Sequence, residues 1–154
     1  MHWHRQAWSG ILFGPDREVR TRSARRRDRR GSQYARLSRK RTEQGHVILD
    51  AAVDGASVRF LVDTGASLVT LTPADAQAAG ITPRELVFNH RVSTANGSAR
   101  MAPVTLREVR IGQLSIYDVP ASVLEHLNIS LLGMSFLSRL QSYEMRDGKL
   151  TIAW

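Results

Sequence analysis

The stretch FLVDTGASLVTLTPADAQAAGI, residues 60–81, runs an apolar segment directly into an aspartate, Asp63. A charged carboxylate at the end of an apolar strand is costly unless it is paired or hydrogen-bonded. Thr64 and Gly65 follow, and a glycine permits a tight turn in which backbone N–H groups reach the carboxylate and favour its ionised form. A carboxylate placed in this way can orient a water molecule for attack on a carbonyl group.

The bulk composition limits the kinds of chemistry that the chain can perform. Its 154 residues are enough for one ordinary domain with a hydrophobic core. The chain contains no cysteine, so disulfides, thiolate metal sites and cysteine nucleophiles are excluded. No stretch approaches the roughly 20 apolar residues of a membrane span, and no secretory cleavage site is recognisable. These features favour a cytoplasmic location for the chain as written, and they leave membrane association open if an upstream segment is missing.

The positive charge is concentrated in the N-terminal part of the chain. Residues 1–44 hold 13 Lys and Arg against 4 Asp and Glu, whereas residues 45–154 are nearly neutral. Few apolar residues and strong self-repulsion predict a disordered arm over residues 1–44, followed by a folded domain over residues 45–154. One hypothesis is that the arm contacts nucleic acid or an anionic membrane surface through long-range attraction. The alternative is a solvated tail, or translated sequence upstream of the true start.

Residues 45–154 have the sequence pattern of short strands joined by tight turns. Asp-Gly or Asn-Gly pairs at 54–55, 96–97 and 147–148 predict three hairpins. Thr72 followed by proline predicts a short helix that ends at Gly80.

Two further segments complete the predicted domain. Mixed periodicity over residues 104–111 predicts a bulge or kink in the strand that follows the second hairpin. Residues 131–140 begin as an apolar strand and change to helical spacing after a glycine. The whole pattern predicts a mostly β domain with one or two short helices.

One carboxylate is a poor catalyst of amide hydrolysis, because the reaction needs both a base and an acid. Two neighbouring carboxylates that share one proton provide both, since like charges so close cannot both ionise. The chain contains one Asp-Thr-Gly. The second carboxylate must then come from another copy, which implies a two-fold dimer with both Asp63 side chains at the axis.

The domain resembles the single-domain, retropepsin-like aspartic proteases of clan AA, in particular their bacterial branch. The resemblance covers residues 45–154 and rests on five segments in the expected order: FLVDTGAS (60–67), LTPADAQAAGI (71–81), VSTANGSARMAPV (92–104), LLGMSFLSRL (131–140) and YEMRDGKLTIAW (143–154).

This resemblance implies a retropepsin-like half-barrel that is active as a two-fold homodimer, with Asp63 as the catalytic residue of each protomer. It implies an aspartic endopeptidase that cleaves extended polypeptides and needs no metal and no cofactor. The other implied site residues are an active-site loop of Thr64, Gly65, Ala66 and Ser67, a flap of Ala95, Asn96 and Gly97, and loop support from Leu131, Leu132 and Gly133. The alternative is a non-catalytic module on the same fold that binds peptides or a partner chain.

Overall fold

The computed structural model describes residues 46–94, 97–146 and 149–154, together with the backbone of four short strands between residues 12 and 38. The thirteen strands in chain order are β1 Leu12–Phe13, β2 Arg17–Glu18, β3 Thr21–Arg27, β4 Gln33–Ser38, β5 Ile48–Val53, β6 Ala56–Val62, β7 Val69–Leu71, β8 His90–Thr94, β9 Gly97–Ile111, β10 Leu114–Leu124, β11 Ser130–Leu132, β12 Ser142–Arg146 and β13 Lys149–Ala153. The helices are α1 Pro73–Ala78 and α2 Met134–Leu137, with a 3₁₀ turn at Pro83–Glu85.

Six strands form a closed, barrel-like sheet in the order β10-β7-β11-β6-β5-β9, because β9 also pairs with β10. Strand β8 continues the sheet beyond β9 as the other arm of a hairpin. Strand β11 lies between β6, to which it is parallel, and β7, to which it is antiparallel. The predicted mostly β domain with short helices is confirmed.

The first hairpin forms as its sequence predicts. Val53 pairs with Ala56, which leaves Asp54 and Gly55 as a two-residue loop. Both loop residues have positive φ, 48° and 89°, as a type I′ turn requires. The Asp54 side chain accepts a hydrogen bond from the Glu108 backbone N–H at 2.9 Å, so the turn is fixed to β9.

Helix α1 also begins and ends at the predicted signals. The Thr72 hydroxyl accepts a hydrogen bond from the Asp75 N–H at 3.1 Å, which caps the helix. Gly80 adopts φ of 87° just after the helix and turns the chain away. The helix buries Ala76 against the barrel.

The irregularity predicted in the strand over residues 104–111 takes a different form from a bulge. The register of β9 with β10 is the same on both sides of an interruption at Arg107 and Asp118, which are not paired. The face of β9 that is buried nevertheless changes along the strand: the buried residues are even-numbered up to Leu106 and odd-numbered from Val109 onwards. The partner strand changes face at the same level, where Asp118 has φ of 52°. Both strands therefore turn together, with no extra residue in either.

The core fills the interior of the barrel and is closed by α2. The largest fully buried side chains include Phe60 from β6, Leu106 from β9 and Phe136 from α2. Each such side chain contributes roughly 2–3 kcal/mol of transfer free energy on burial. No helix within the described residues has the length and apolar character needed to cross a membrane.

A second, four-stranded sheet joins the C-terminal hairpin to the basic arm in the order β12-β13-β4-β3. Strand β4 pairs antiparallel with β13, with Leu37 opposite Leu150. The predicted C-terminal hairpin pairs Arg146 with Lys149, and its turn residues 147–148 lie outside the described residues. Four extended segments lie within residues 1–44, two of them in this sheet. The disorder that composition indicates for the arm stays a prediction. The division of the chain near residue 44 remains a prediction.

Candidate active site

The turn that follows β6 holds Asp63 through its main chain. The Asp63 N–H donates to the Leu132 carbonyl at 3.1 Å, and the Asp63 carbonyl accepts from the Ala66 N–H at 3.2 Å. The side-chain Oδ1 atom accepts a hydrogen bond from the Gly65 N–H at 2.9 Å. A backbone donor thus reaches the half-buried carboxylate at the end of its apolar strand and orients it.

The rest of the active-site loop is fastened to the segment between β11 and α2. The Met134 N–H donates to the Ala66 carbonyl at 2.8 Å. On the far side of the loop, the Val69 N–H donates to the Ser135 hydroxyl at 2.8 Å. The segment from the end of β11 to the start of α2 therefore contacts the loop at its start, its middle and its end.

Gly133 allows this close approach because it has no side chain. A Cβ atom built on Gly133 would lie 2.3 Å from the Leu68 carbonyl oxygen and 2.7 Å from the Ala66 carbonyl oxygen. Both are backbone atoms, so the loop would have to move to accommodate it. The φ of Gly133 is −97°, so the requirement for glycine here is one of space alone.

The predicted flap is a hairpin formed by β8 and the start of β9. The register places Gly97 opposite Thr94, so the connecting residues are Ala95 and Asn96, which lie outside the described residues. The Thr94 hydroxyl donates to the Gly97 carbonyl at 2.6 Å, and Gly97 has φ of 108°. The two connecting residues are therefore 95–96, one position earlier than the turn at 96–97 that the Asn-Gly pair predicted.

A cavity of about 350 Å³ separates the flap strands from the loop that follows β10. The flap side of the cavity is lined by Thr94, Ser98 and Ala99, and the opposite side by residues 124–129. Asp63 is not among the lining residues described. The volume lies within the range of ligand pockets, about 300–1,000 Å³.

An ion pair joins the flap to the opposite loop beside this cavity. The Arg100 guanidinium donates to both carboxylate oxygens of Glu125, at 2.9 and 3.2 Å. The Glu125 N–H also donates to the Arg100 carbonyl at 3.1 Å. The Arg100 hydrogen bond lowers the pKa of Glu125 below its ordinary value. The next residue, His126, has φ of 61°, an unusual conformation for a residue other than glycine.

The loop over residues 125–129 was not identified from the sequence as part of the site. Its signal was weak: the polar residues His126 and Asn128 alternate with apolar ones just before the Leu-Leu-Gly segment. A second unpredicted feature is a hydrogen-bond cluster under α1. The Ser130 hydroxyl donates to the Asp75 carboxylate at 2.5 Å and accepts from the Thr72 N–H at 3.0 Å.

The structure brings together two of the three predicted groups of site residues. Thr64, Gly65 and Ser67 are exposed on the active-site loop, and the loop rests on Leu132 and Gly133 as described above. Leu131 pairs with Leu61 of β6 and with Thr70 of β7. The functional roles assigned to these residues remain predictions. Within the described ranges, no three His, Asp or Glu side chains are grouped so that they could hold a metal ion.

Comparison with known proteins agrees with this architecture. Residues 49–139 match the family described as "gag-polyprotein putative aspartyl protease". A crystal structure of a retropepsin-like aspartic protease from Rickettsia conorii superimposes with a TM-score of 0.68 and 34% identity, covering 77% of this chain and 97% of that one. The chain belongs to the family of retropepsin-like aspartic proteases.

Three further relatives complete the comparison. The protease of EIAV, solved with the inhibitor HBY-793, shares the fold with a TM-score of 0.56 at 15% identity, over 70% of this chain and 99% of that one. An uncharacterized Sinorhizobium protein from the cobV 5′ region is 46% identical over 110 residues, which are 70% of this chain and 47% of that protein. An uncharacterized protein of Rickettsia prowazekii (strain Madrid E) is 39% identical over 106 residues, or 68% and 46% of the two chains. The chain spans about half the length of these curated relatives.

Proposed function

We propose that this chain is an aspartic endopeptidase in which a water molecule is activated by two Asp63 carboxylates, one from each of two copies. The observation that carries the proposal is the turn after β6, where the Asp63 carboxylate is oriented by a backbone N–H beside an exposed loop. Membership of an aspartic protease family supports this chemical role for the turn.

The reaction follows from the chemistry of two close carboxylates. Like charges so close cannot both be ionised, so the pair shares one proton. The ionised member accepts a proton from water while the water oxygen attacks the peptide carbonyl carbon, and the protonated member donates its proton to the carbonyl oxygen. The aspartate that took the proton from water then donates it to the nitrogen as the C–N bond of the tetrahedral diol breaks. The other aspartate accepts a proton from a diol hydroxyl, so the products are a carboxylic acid and an amine and the pair again holds one proton. No covalent acyl-enzyme forms, because water is the nucleophile.

The dimer is part of this proposal because each copy supplies one such aspartate. Asp-Thr-Gly occurs once in the chain, and a two-fold axis beside the exposed loop would place two Asp63 side chains opposite each other. In this arrangement Thr64 braces the two loops against each other through its hydroxyl, and Gly65 lets the substrate backbone approach closely.

The substrate in this proposal is an extended polypeptide that lies between the flap and the active-site loop. Its backbone pairs as an added strand, and its side chains enter recesses such as the cavity beside residues 124–129. Ala95, Asn96 and Gly97 at the flap tip close over it and exclude water from the reacting bond.

The test compares two substitutions that make the same chemical change. With a peptide library read by mass spectrometry, Asp63→Asn is expected to reduce cleavage by at least about a thousandfold, because the shared proton and its acceptor are lost. Asp118→Asn is the matched control: Asp118 is exposed, and asparagine tolerates its positive φ. Cleavage that survives in Asp63→Asn would rule out Asp63 as the catalytic residue. Peptide binding by the unaltered chain without cleavage would favour the non-catalytic alternative.

A further inference from the structure

The cavity wall formed by residues 125–129 is held at both of its ends. At one end, the Glu125 carboxylate accepts hydrogen bonds at both oxygens from Arg100 of the flap. At the other end, the fully buried Ser130 joins the wall to α1 through its hydrogen bond to the Asp75 carboxylate at 2.5 Å. A wall fixed in this way loses little conformational freedom when a ligand binds against it.

Between these fixed ends, the backbone of His126 has a strained conformation. Its φ of 61° lies in the left-handed region, which is unfavourable for a residue with a Cβ atom. Gly80 and Gly97 have positive φ elsewhere in the domain, where no side chain is present. The His126 side chain is exposed and lines the cavity. Strained residues concentrate at functional sites, so this conformation points to a use of the imidazole group.

Three polar side chains of the cavity have no hydrogen-bond partner within the described part of the chain. They are Ser98 on the flap side and His126 and Asn128 on the opposite side. Hydroxyl, imidazole and carboxamide groups can each donate and accept a hydrogen bond. Ligand sites combine apolar walls with a few such polar groups, and Leu124 and Ile129 provide the apolar part here.

The charges beside the cavity disfavour a charged occupant. Arg100 engages both oxygens of the Glu125 carboxylate, so the charges of this pair are balanced. A cationic side chain in the cavity would lie near the Arg100 guanidinium, and an anionic one near the Glu125 carboxylate. In either case the counter-charge is already engaged, and a desolvated charge without a partner is costly. An uncharged side chain that both donates and accepts hydrogen bonds avoids this cost.

We propose that the cavity selects a substrate side chain that ends in a carboxamide, glutamine or asparagine, with His126 and Asn128 as the residues that determine this preference. The inference rests on the endopeptidase function proposed above. A carboxamide has two N–H donors and one carbonyl acceptor, which match the polar groups of the two walls. A leucine of similar size would displace water from those groups and leave them unpaired.

The experiment gives the unaltered full chain a mixture of peptides that differ at one varied position, where each carries glutamine, asparagine, leucine, glutamate or lysine. The varied position is scanned along the peptide on both sides of the cleaved bond. Mass spectrometry measures the ratios of cleavage rates within one mixture, which do not depend on how much of the protein is active. At one position, a carboxamide is expected to be preferred about fivefold to tenfold over each alternative, the effect of about one additional hydrogen bond. No carboxamide preference at any position would overturn the proposal.

Two substitutions test which residues determine the preference. Asn128→Leu replaces a polar group of the wall by an apolar side chain, so the preference for glutamine over leucine should vanish or reverse. His126→Gly removes the imidazole and keeps a residue that tolerates positive φ, and it should reduce the preference severalfold. Asn89→Leu is the matched control, because Asn89 is exposed and is not among the lining residues described. An unchanged ratio in either cavity variant, or an equal change in Asn89→Leu, would contradict the assignment.

Failure of this inference and failure of the proposed function give different results. Cleavage without a carboxamide preference contradicts the inference alone. Absence of cleavage by the unaltered chain contradicts the proposed function, and the cavity is then tested by binding of the same peptides to the immobilised full chain. Glutamine peptides should be retained about fivefold more strongly than leucine peptides. Equal retention would overturn the inference as well.

Discussion

The position of Asp63 depends on a glycine from the far end of the domain. Gly133 has contacts with the backbone of Leu68 and Ala66 at distances that no side chain could share. The adjacent residues, Leu132 and Met134, form hydrogen bonds with the two ends of the same turn. The geometry of the carboxylate is therefore set by close backbone packing as much as by the turn itself.

Gly133→Ala is predicted to destabilise the fold through this contact. The added methyl group would force backbone atoms apart, at a cost of about 3 kcal/mol in the free energy of unfolding. Urea unfolding measures this cost directly. Gly80→Ala is the control, because a Cβ built on Gly80 meets no heavy atom within 4 Å while its φ is 87°. This variant should lose about 1 kcal/mol from backbone strain alone. Equal losses in the two variants would contradict the steric explanation.

Residue-level prediction from the sequence succeeded where the signal was local. The Asp-Gly turn at residues 54–55 and the Thr72 cap both depend on neighbours within a few positions. The contact of Gly133 with Leu68 and the hydrogen bond from Val69 to Ser135 join segments far apart in the chain. No local pattern encodes such distances, so these features required the structure.

The flap hairpin is held at its base by the pair formed by Arg100 and Glu125. Arg100 is also opposite Arg91 across the hairpin, so Glu125 offsets a like-charge contact between the two flap strands. The folded-state pKa of Glu125 is lowered, so its contribution to stability is present above the ordinary pKa of the carboxyl group. That contribution is lost as the pH falls through the lowered pKa.

Arg100→Gln is predicted to raise the pKa of Glu125 towards its ordinary value, because the hydrogen bond that lowers it is removed. A carbon-13 NMR titration of the Glu125 carboxyl group measures the change. Arg91→Gln makes the same substitution on the neighbouring strand and should leave the Glu125 titration nearly unchanged. If both variants shifted the titration equally, the general surface charge, and not the specific pair with Arg100, would determine the pKa of Glu125.

At the level of elements, the hairpins and α1 followed from turn and cap residues, whereas the face change in β9 did not. The mixed periodicity of residues 104–111 was visible, but a bulge and a coordinated turn of two strands give similar patterns in one strand. Only the partner β10, with Asp118 at positive φ, distinguishes them. The residue pattern of one strand does not reveal which strand pairs with it, so the form of the irregularity could not be predicted.

Across the whole molecule, the closed barrel places Asp63 at the end of one strand and supports it with another from the C-terminal third. Strands β6 and β11 are parallel neighbours, with Phe60 opposite Ser130. The family resemblance implies this strand order, whereas the alternation and turn patterns do not indicate which strands are neighbours in the sheet. The addition of β4 to the C-terminal sheet was also missed, because the charge of the arm masks its short apolar alternation.

The central claim is that one active site needs Asp63 from two chains, and mixing of variants tests it most directly. Unaltered protein is held at a concentration where activity per molecule no longer rises, with substrate in large excess, and Asp63→Asn protein is added and allowed to exchange. Random pairing converts most unaltered chains into mixed dimers, so a ninefold excess should leave roughly one tenth of the activity. Activity that is unchanged by added Asp63→Asn protein would contradict the shared site.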